Sequence, residues 1–223
     1  MTHPITLEGH FVTLHKLQTT HLKELEQVAA NPVIWQNLPI EGWRTDVFWT
    51  WATDSLDAQM RGLAHVFAII DNKTGRVIGT TRFQDMDTVH RKTDMGWTWL
   101  SADFWGQGYN FEAKNLMFTH AFETWQVQRV GFKVDERNLR SQRALEKVGT
   151  SREGLFRNHM IRPDGSRRNS YFYAMTDEDW LDFAKNRLQN LVLDAIVTDR
   201  KNMPYYAEFP QGILALPALA MHQ

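Results

Sequence analysis

At 223 residues, with 43% hydrophobic side chains, nine Trp and thirteen Phe, the chain has enough apolar bulk to fill one domain and carry an extension. Its 25 Lys+Arg against 26 Asp+Glu leave a formal net charge of −1 with no block of like charge, which argues against the concentrated basic face that broad nucleic-acid binding needs. There is no cysteine, so disulfides, thiolate catalysis and cysteine-based zinc sites are excluded, and no window approaches the ~18 consecutive apolar residues of a membrane span.

The opening "MTHPITLEGHFVTLHK" lacks the basic and apolar regions of a signal peptide, so a cytoplasmic location is expected. "HFVTLHKL" alternates around Val12 and Leu14 and predicts a first strand. Thr19 or Thr20 is placed to cap a helix through "HLKELEQVAA", where Leu22, Leu25, Val28 and Ala29 share a face, and Asn31-Pro32 ends it. A stretch rich in Trp35, Trp43, Trp49 and Trp51 follows, and its second part reads as another helix. Residues this aromatic are more often core than pocket wall.

"HVFAII" and "RVIGTTRF" form a predicted hairpin closed by Gly75. In "TDMGWTWL", Met95, Trp97 and Trp99 alternate with Asp94, Gly96 and Thr98, as a strand requires. Beyond Gly106 and Gly108, the spacing of Ala113, Leu116, Met117, Ala121, Phe122 and Trp125 predicts a helix from Phe111 to Val127. "RVGFKV" reads as a strand, "NLRSQRALEKVG" as a helix stopped by Gly149, and "NHMIRPDGSRRNSYFYAM" as a hairpin around Pro163-Asp164-Gly165. Thr176 and Asp179 make a capping box for a terminal helix. Past about Asp194 the pattern dissolves into a proline-punctuated tail. Its apolar "GILALPALAM" is expected to pack, either on the domain or across a homodimer interface. The order of elements predicts a mixed α+β domain.

Two glycines between a strand and a helix admit two readings. One is a tight turn. The other is a seat for an anion, because the amides that open a helix have no partner and glycine lets a phosphate reach them. Rival phosphate motifs fail: no Gly-Lys-Ser/Thr follows, a dinucleotide fingerprint would need glycine where Phe111 stands, and the near-miss hydrolase elbow at Gly149-Thr-Ser151 has its second glycine one place late, at Gly154. Asn138 is a good helix N-cap, and Ser141 has a bland reading as a first-turn residue. The nine histidines show no paired spacing for a metal, so none is expected.

Three segments in order, "GWTWLSADFWGQGYNFEAK", "RVGFKVDERNLRSQRALEKVG" and "REGLFRNHMIRPDGSRRNSYFYAM", resemble the GNAT acetyltransferase superfamily, and its RimJ/RimL branch more closely. The resemblance implies a three-layer αβα fold with a largely antiparallel mixed sheet and a splayed central strand pair. The domain would span residues 7–182, with an extension over 183–223. It further implies that acetyl-CoA is the co-substrate. The turn Trp105, Gly106, Gln107, Gly108, Tyr109 and Asn110 would hold its pyrophosphate, and Trp97, Trp99, Leu100 and Asn138 its pantetheine arm. The family turn usually reads Arg/Gln-x-x-Gly-x-Gly/Ala, and this chain departs from it at Trp105 and Asn110.

On the same resemblance, Ser141 lies near the departing sulfur and can return its proton. Related enzymes place a glutamate where this chain has His159–Met160, and His159 is the substitute base, since an ordinary imidazole titrates near ~6.5. Glu136 is the nearest other carboxylate in sequence, and Tyr171 and Tyr173 alternate on the last strand. Trp43 and Arg44, with Glu41 nearby, are the substrate-binding candidates. The expected activity is direct attack of an amine on the thioester, the acceptor being a protein N-terminus or a small amine. The absence of a carboxylate near His159 supports a rival expectation, a cofactor-binding sensor or structural module without the chemistry.

Overall fold

A computed structural model of the chain describes residues 5–201. Its strands are β1 (Thr6–Glu8), β2 (Val12–Lys16), β3 (Ala64–Asp71), β4 (Val77–Asp87), β5 (Lys92–Leu100), β6 (Arg129–Asp135), β7 (Ser151–Ile161) and β8 (Arg167–Thr176). They form one sheet in the order β1-β2-β3-β4-β5-β6-β8-β7. Every neighbouring pair is antiparallel except β5 and β6, which run parallel. That parallel ladder is short, Lys92 to Arg129 through Asp94 to Gly131, and beyond it the two strands part. The expected splayed pair is therefore present at the centre of the sheet.

The helices are α1 (Leu22–Ala29), α2 (Thr45–Met60), α3 (Tyr109–Thr119), α4 (Leu139–Val148), a single turn α5 (Asp177–Asp179) and α6 (Lys185–Lys201). The alternation of β3 divides the core between the two faces of the sheet. Val66 and Ala68 join Leu25, Trp35, Phe48 and Trp51 under α1 and α2, while Phe67 and Ile69 join Leu14, Phe118 and Trp180 under α3 and α6. Helices on both faces give the three-layer architecture.

Several local expectations are corrected. The polar β1 forms an edge strand that its sequence did not announce. Neither Thr19 nor Thr20 caps α1. Gln18 and His21 cap a 3-10 turn over Thr19–His21 that leads into it. The helix expected from Phe111 to Val127 starts at Tyr109, and after Thr119 it becomes a π-helical turn over His120–Thr124. The helical pattern does not dissolve at Asp194, since α6 continues to Lys201 with Leu188 and Val192 buried. The apolar "GILALPALAM" lies outside the described residues.

One long-range clasp holds the first hairpin to α3. The buried Glu112 carboxylate accepts the amides of His10, Phe11 and Val12 at 2.7, 2.6 and 2.9 Å. Gly9 makes room for it, because a Cβ there would lie 2.6 Å from the Glu112 carboxyl carbon.

Candidate active site

The site is built where β5 leaves β6. Residues Thr80 and Arg82 of β4 oppose Trp99 and Gly96, so β5 carries an extra residue opposite Thr81. This bulge puts Trp97 at φ +49°, an unusual conformation for a large side chain. One contact touches its ring and two brace the strands around it. The Arg82 guanidinium lies 4.8 Å from the Trp97 ring, Arg82 Nε donates to Gln84 Oε1 at 2.7 Å, and the Thr81 and Thr98 hydroxyls meet at 2.8 Å. Bulges re-aim strand groups, and this one does so at the mouth of the split.

The two glycines differ in what surrounds them. Gly106 (φ +76°) has nothing within 4 Å of where a Cβ would stand, so its face is open. Gly108 (φ +92°) is the N-cap of α3, and a Cβ there would overlap the Ala195 methyl of α6. The first leaves open space in front of the backbone and the second lets α3 and α6 pack closely. The amides that open α3 have no intrahelical acceptor, and the helix dipole adds positive potential there.

Between this turn and α4 lies a cavity of about 390 Å³. Trp99, Leu100, Trp105, Gly106, Gly108, Asn110 and Asn138 all line it. Gln107 does not, and its side chain turns back to the Asp103 carbonyl. Nor does Tyr109, whose hydroxyl donates to Asp71 Oδ1 at 3.2 Å in the core. Burial and the Asp71 charge push that phenol up to about 12. The Trp99 indole packs with Trp35 and Trp51 at 5.2 and 5.6 Å.

Sequence reasoning missed the basic wall of this cavity, formed by Arg140, Arg143 and Lys147 of α4. Their spacing, one helical turn apart, was the available signal. Arg140 stacks 3.5 Å from the Trp105 ring, and the Trp105 indole donates to the Leu100 carbonyl at 3.0 Å.

A second cavity of about 380 Å³ fills the opening between β5 and β6, and Trp97 lines it. The two cavities share Asn37, Leu38, Thr98, Lys114, Asn138 and Ser141. They therefore meet at one junction. Asn138 accepts the Ser141 amide at 3.0 Å, so its capping reading holds as well as its place on the wall. Lys114 is 8% exposed at this junction, its ammonium 5.2 Å from the Phe132 ring, and burial pushes its pKa down to about 8.

His159 lines the second cavity. An irregularity in β7, where Phe156 pairs with Ser170 and Met160 with Arg168, sets its direction, with Asn158 at φ +52°. Its Nδ1 lies 3.0 Å from Ser170 Oγ. Burial first, then the Arg168 and Lys133 charges, lower its pKa, so the imidazole is neutral at neutral pH. Asp135, also on this wall, is buried in a two-point pair with Arg162 at 2.8 Å and 2.8 Å. Burial raises this carboxyl, but Arg162, the Arg137 amide and Arg168 outweigh that and hold it low.

Other candidates stand elsewhere. Trp43 and Arg44 line neither cavity, and Arg44 pairs with Asp46 at 3.0 Å and Glu41 at 3.6 Å. Glu136 is held by Asn169 at 2.9 Å and Arg162 at 3.5 Å. The Tyr173 hydroxyl donates to Glu146 at 3.0 Å, and Tyr171 lies under Arg152. Among the described residues no cluster of His, Cys, Asp or Glu is placed to hold a metal ion, and no helix is long and apolar enough to cross a membrane.

Comparison with known proteins agrees with this geometry. Residues 12–151 match the acetyltransferase (GNAT) domain. The chain is 28% identical over 158 residues to the uncharacterized N-acetyltransferase p20 of Bacillus licheniformis, an alignment spanning 69% of this chain and 86% of that protein. It shares the fold of a GCN5-related N-acetyltransferase from Brucella melitensis, with a TM-score of 0.76 and 22% identity over 85% of this chain and 86% of that one. It also shares the fold of Mycobacterium smegmatis RimJ, solved in complex with CoA-disulfide, with a TM-score of 0.70 and 20% identity over 84% and 94% of the two chains. A sheet split between two parallel central strands, two cavities meeting at the split, and a domain match over more than half its length show that the chain belongs to the GNAT family of N-acetyltransferases.

Proposed function

We propose that the chain transfers an acetyl group from acetyl-CoA to a primary amine by direct attack in a ternary complex, in the manner of the RimJ/RimL branch. The observation that carries this reading is the junction of the two cavities at Thr98, Lys114, Asn138 and Ser141. One cavity suits the cofactor. Its open Gly106 face, the free amides of α3 and the cations Arg140, Arg143 and Lys147 are what a pyrophosphate and a further phosphate require. The other cavity then receives the amine, and the thioester lies at the junction.

Each chemical need has a residue. A backbone amide of the Trp97–Trp99 bulge polarises the carbonyl oxygen as charge develops on it. His159, neutral at working pH, takes the proton from the attacking nitrogen. Ser141 returns a proton to the departing sulfur. The chain has no cysteine, so no acyl-thiol intermediate is available to it.

The acceptor is a small amine or a protein N-terminus, and a cavity of about 380 Å³ favours the small amine. Residues 7–182 form the catalytic domain in this reading, and 183–223 an extension whose helix α6 packs on that domain and whose remainder either packs there too or adds to a homodimer interface. The rival sensor reading rests on the lack of a carboxylate beside His159.

Isothermal titration with acetyl-CoA tests the proposal, with Gly106→Trp as the control, since that side chain would fill the open face. Micromolar binding lost in the control, followed by turnover of an amine that Ser141→Ala or His159→Ala abolishes, supports the enzyme. Absence of binding by the folded wild type overturns it, and binding without turnover of any amine selects the sensor.

A further inference from the structure

The acceptor cavity holds more buried positive charge than its acids neutralise. Arg168 lines it with a side chain only 7% exposed. Its Nε donates to Ser170 Oγ at 2.9 Å and lies 3.7 Å from Asp135. Among the described residues its two terminal nitrogens meet no acceptor. Asp135 is already committed, because Arg162 occupies both of its oxygens. Lys133 is balanced by Asp85 at 2.8 Å and Asp94 at 3.0 Å. Lys114 has an aromatic ring beside it and, among the described residues, no carboxylate partner.

Removing a cation from water costs several kcal/mol unless an anion meets it. The cofactor's phosphates are drawn to the other cavity, where Gly106 and the α4 cations lie. Asp135, at 3.7 Å and already shared with Arg162, meets Arg168 only at Nε, which leaves the terminal nitrogens for an anion that arrives with the acceptor. A guanidinium offers two parallel N–H groups in a plane, the arrangement that a carboxylate accepts at two points.

We propose that the acceptor is an amino-carboxylate, an amine carrying a carboxylate nearby, and that Arg168 binds that carboxylate while Lys114 faces the amine at the junction. This inference rests on the acetyl-transfer reading above. The Lys114 charge also disfavours a protonated amine beside it and so favours the nucleophilic form. Two sources share the chemistry: a free amino acid, and the acidic side chain of a peptide that begins with Asp or Glu. Acceptors bearing only positive charge, such as polyamines, would meet two buried cations and be rejected.

The experiment uses the full chain with acetyl-CoA and follows CoA release. One arm compares free amino acids with their carboxamides. The other compares peptides beginning with Asp or Glu with those beginning with Asn or Gln. A third readout titrates the same pairs into the CoA-bound protein. The expected result is that the carboxylate member of one arm has kcat/KM at least about tenfold above its amide, and the arm that responds names the source. Arg168→Gln should erase that preference through KM and leave acetyl-CoA affinity unchanged, with Arg168→Lys restoring part of it. The comparison within the wild type stands even if a variant does not fold. Equal handling of acid and amide, or no binding and no turnover of any carboxylate acceptor by protein that binds acetyl-CoA, overturns the inference. Failure to bind acetyl-CoA overturns the acetyl-transfer reading instead.

Discussion

The ammonium of Lys114 stands 5.2 Å from the centre of the Phe132 ring, almost fully buried at the junction of the two cavities, with no carboxylate as its partner among the described residues. In the unfolded chain it stays protonated up to its ordinary 10.5, whereas in the folded protein burial releases the proton near 8. Below pH 8 both states are protonated and the fold bears the full cost of the buried charge, about 3 kcal/mol. Between the two values the unfolded state binds more protons, so folding stability rises with pH. Chemical denaturation should show Lys114→Met more stable than wild type at pH 7, by up to that amount, with the difference shrinking towards pH 10. A difference that does not change with pH would count against an unpaired buried ammonium.

The Glu112 clasp is a stability feature. Glu112→Ala leaves three backbone amides of the first hairpin without their acceptor and is expected to cost on the order of 4 kcal/mol in a urea melt. Glu112→Gln keeps one acceptor oxygen and should cost less. Hydrogen exchange should quicken first at residues 10–12.

The two glycines of the turn before α3 should respond differently. Gly106→Ala meets only backbone strain, about 1 kcal/mol, because the space around it is open. Gly108→Ala adds an overlap with Ala195 and should cost more. Ala195→Gly should relieve part of that cost, so a double-mutant cycle between 108 and 195 should show coupling, while one between 106 and 195 should show none.

The lowered pKa of His159 predicts the shape of the pH profile. If the imidazole takes the amine proton, kcat/KM falls on the acid side, with a midpoint below 6.5. His159→Gln should lower kcat by about a hundredfold or more and remove that limb. A limb that survives the substitution would assign the base elsewhere.

The main elements were legible because their signals are local. The alternation in "TDMGWTWL", the cap Asn138 and the stop Gly149 each depend on a few neighbours. What was not legible depends on distant partners. The role of Gly108 is set by Ala195, which α6 brings to it. The direction of His159 is set by the irregular pairing of β7 with β8, which no periodicity encodes. Lys114 carries no local signal in the sequence, and its burial beside Phe132 of β6 is a tertiary contact. Arg44 and Trp43 were singled out for their chemistry near a tryptophan-rich run. The same loop instead sends Asn37, Leu38 and Pro39 to the cavity, residues with little chemistry to advertise.

The contact between Gly108 and Ala195 also bears on how such chains vary. A glycine at such a turn is usually credited to a ligand, yet here one of the two is set by helix α6 of the same chain. Positions 108 and 195 draw on one small volume, so they should trade size through divergence. Chains that lack the helix should be free to place alanine at 108, whereas chains that keep it should hold glycine there even where the enzyme has lost its cofactor.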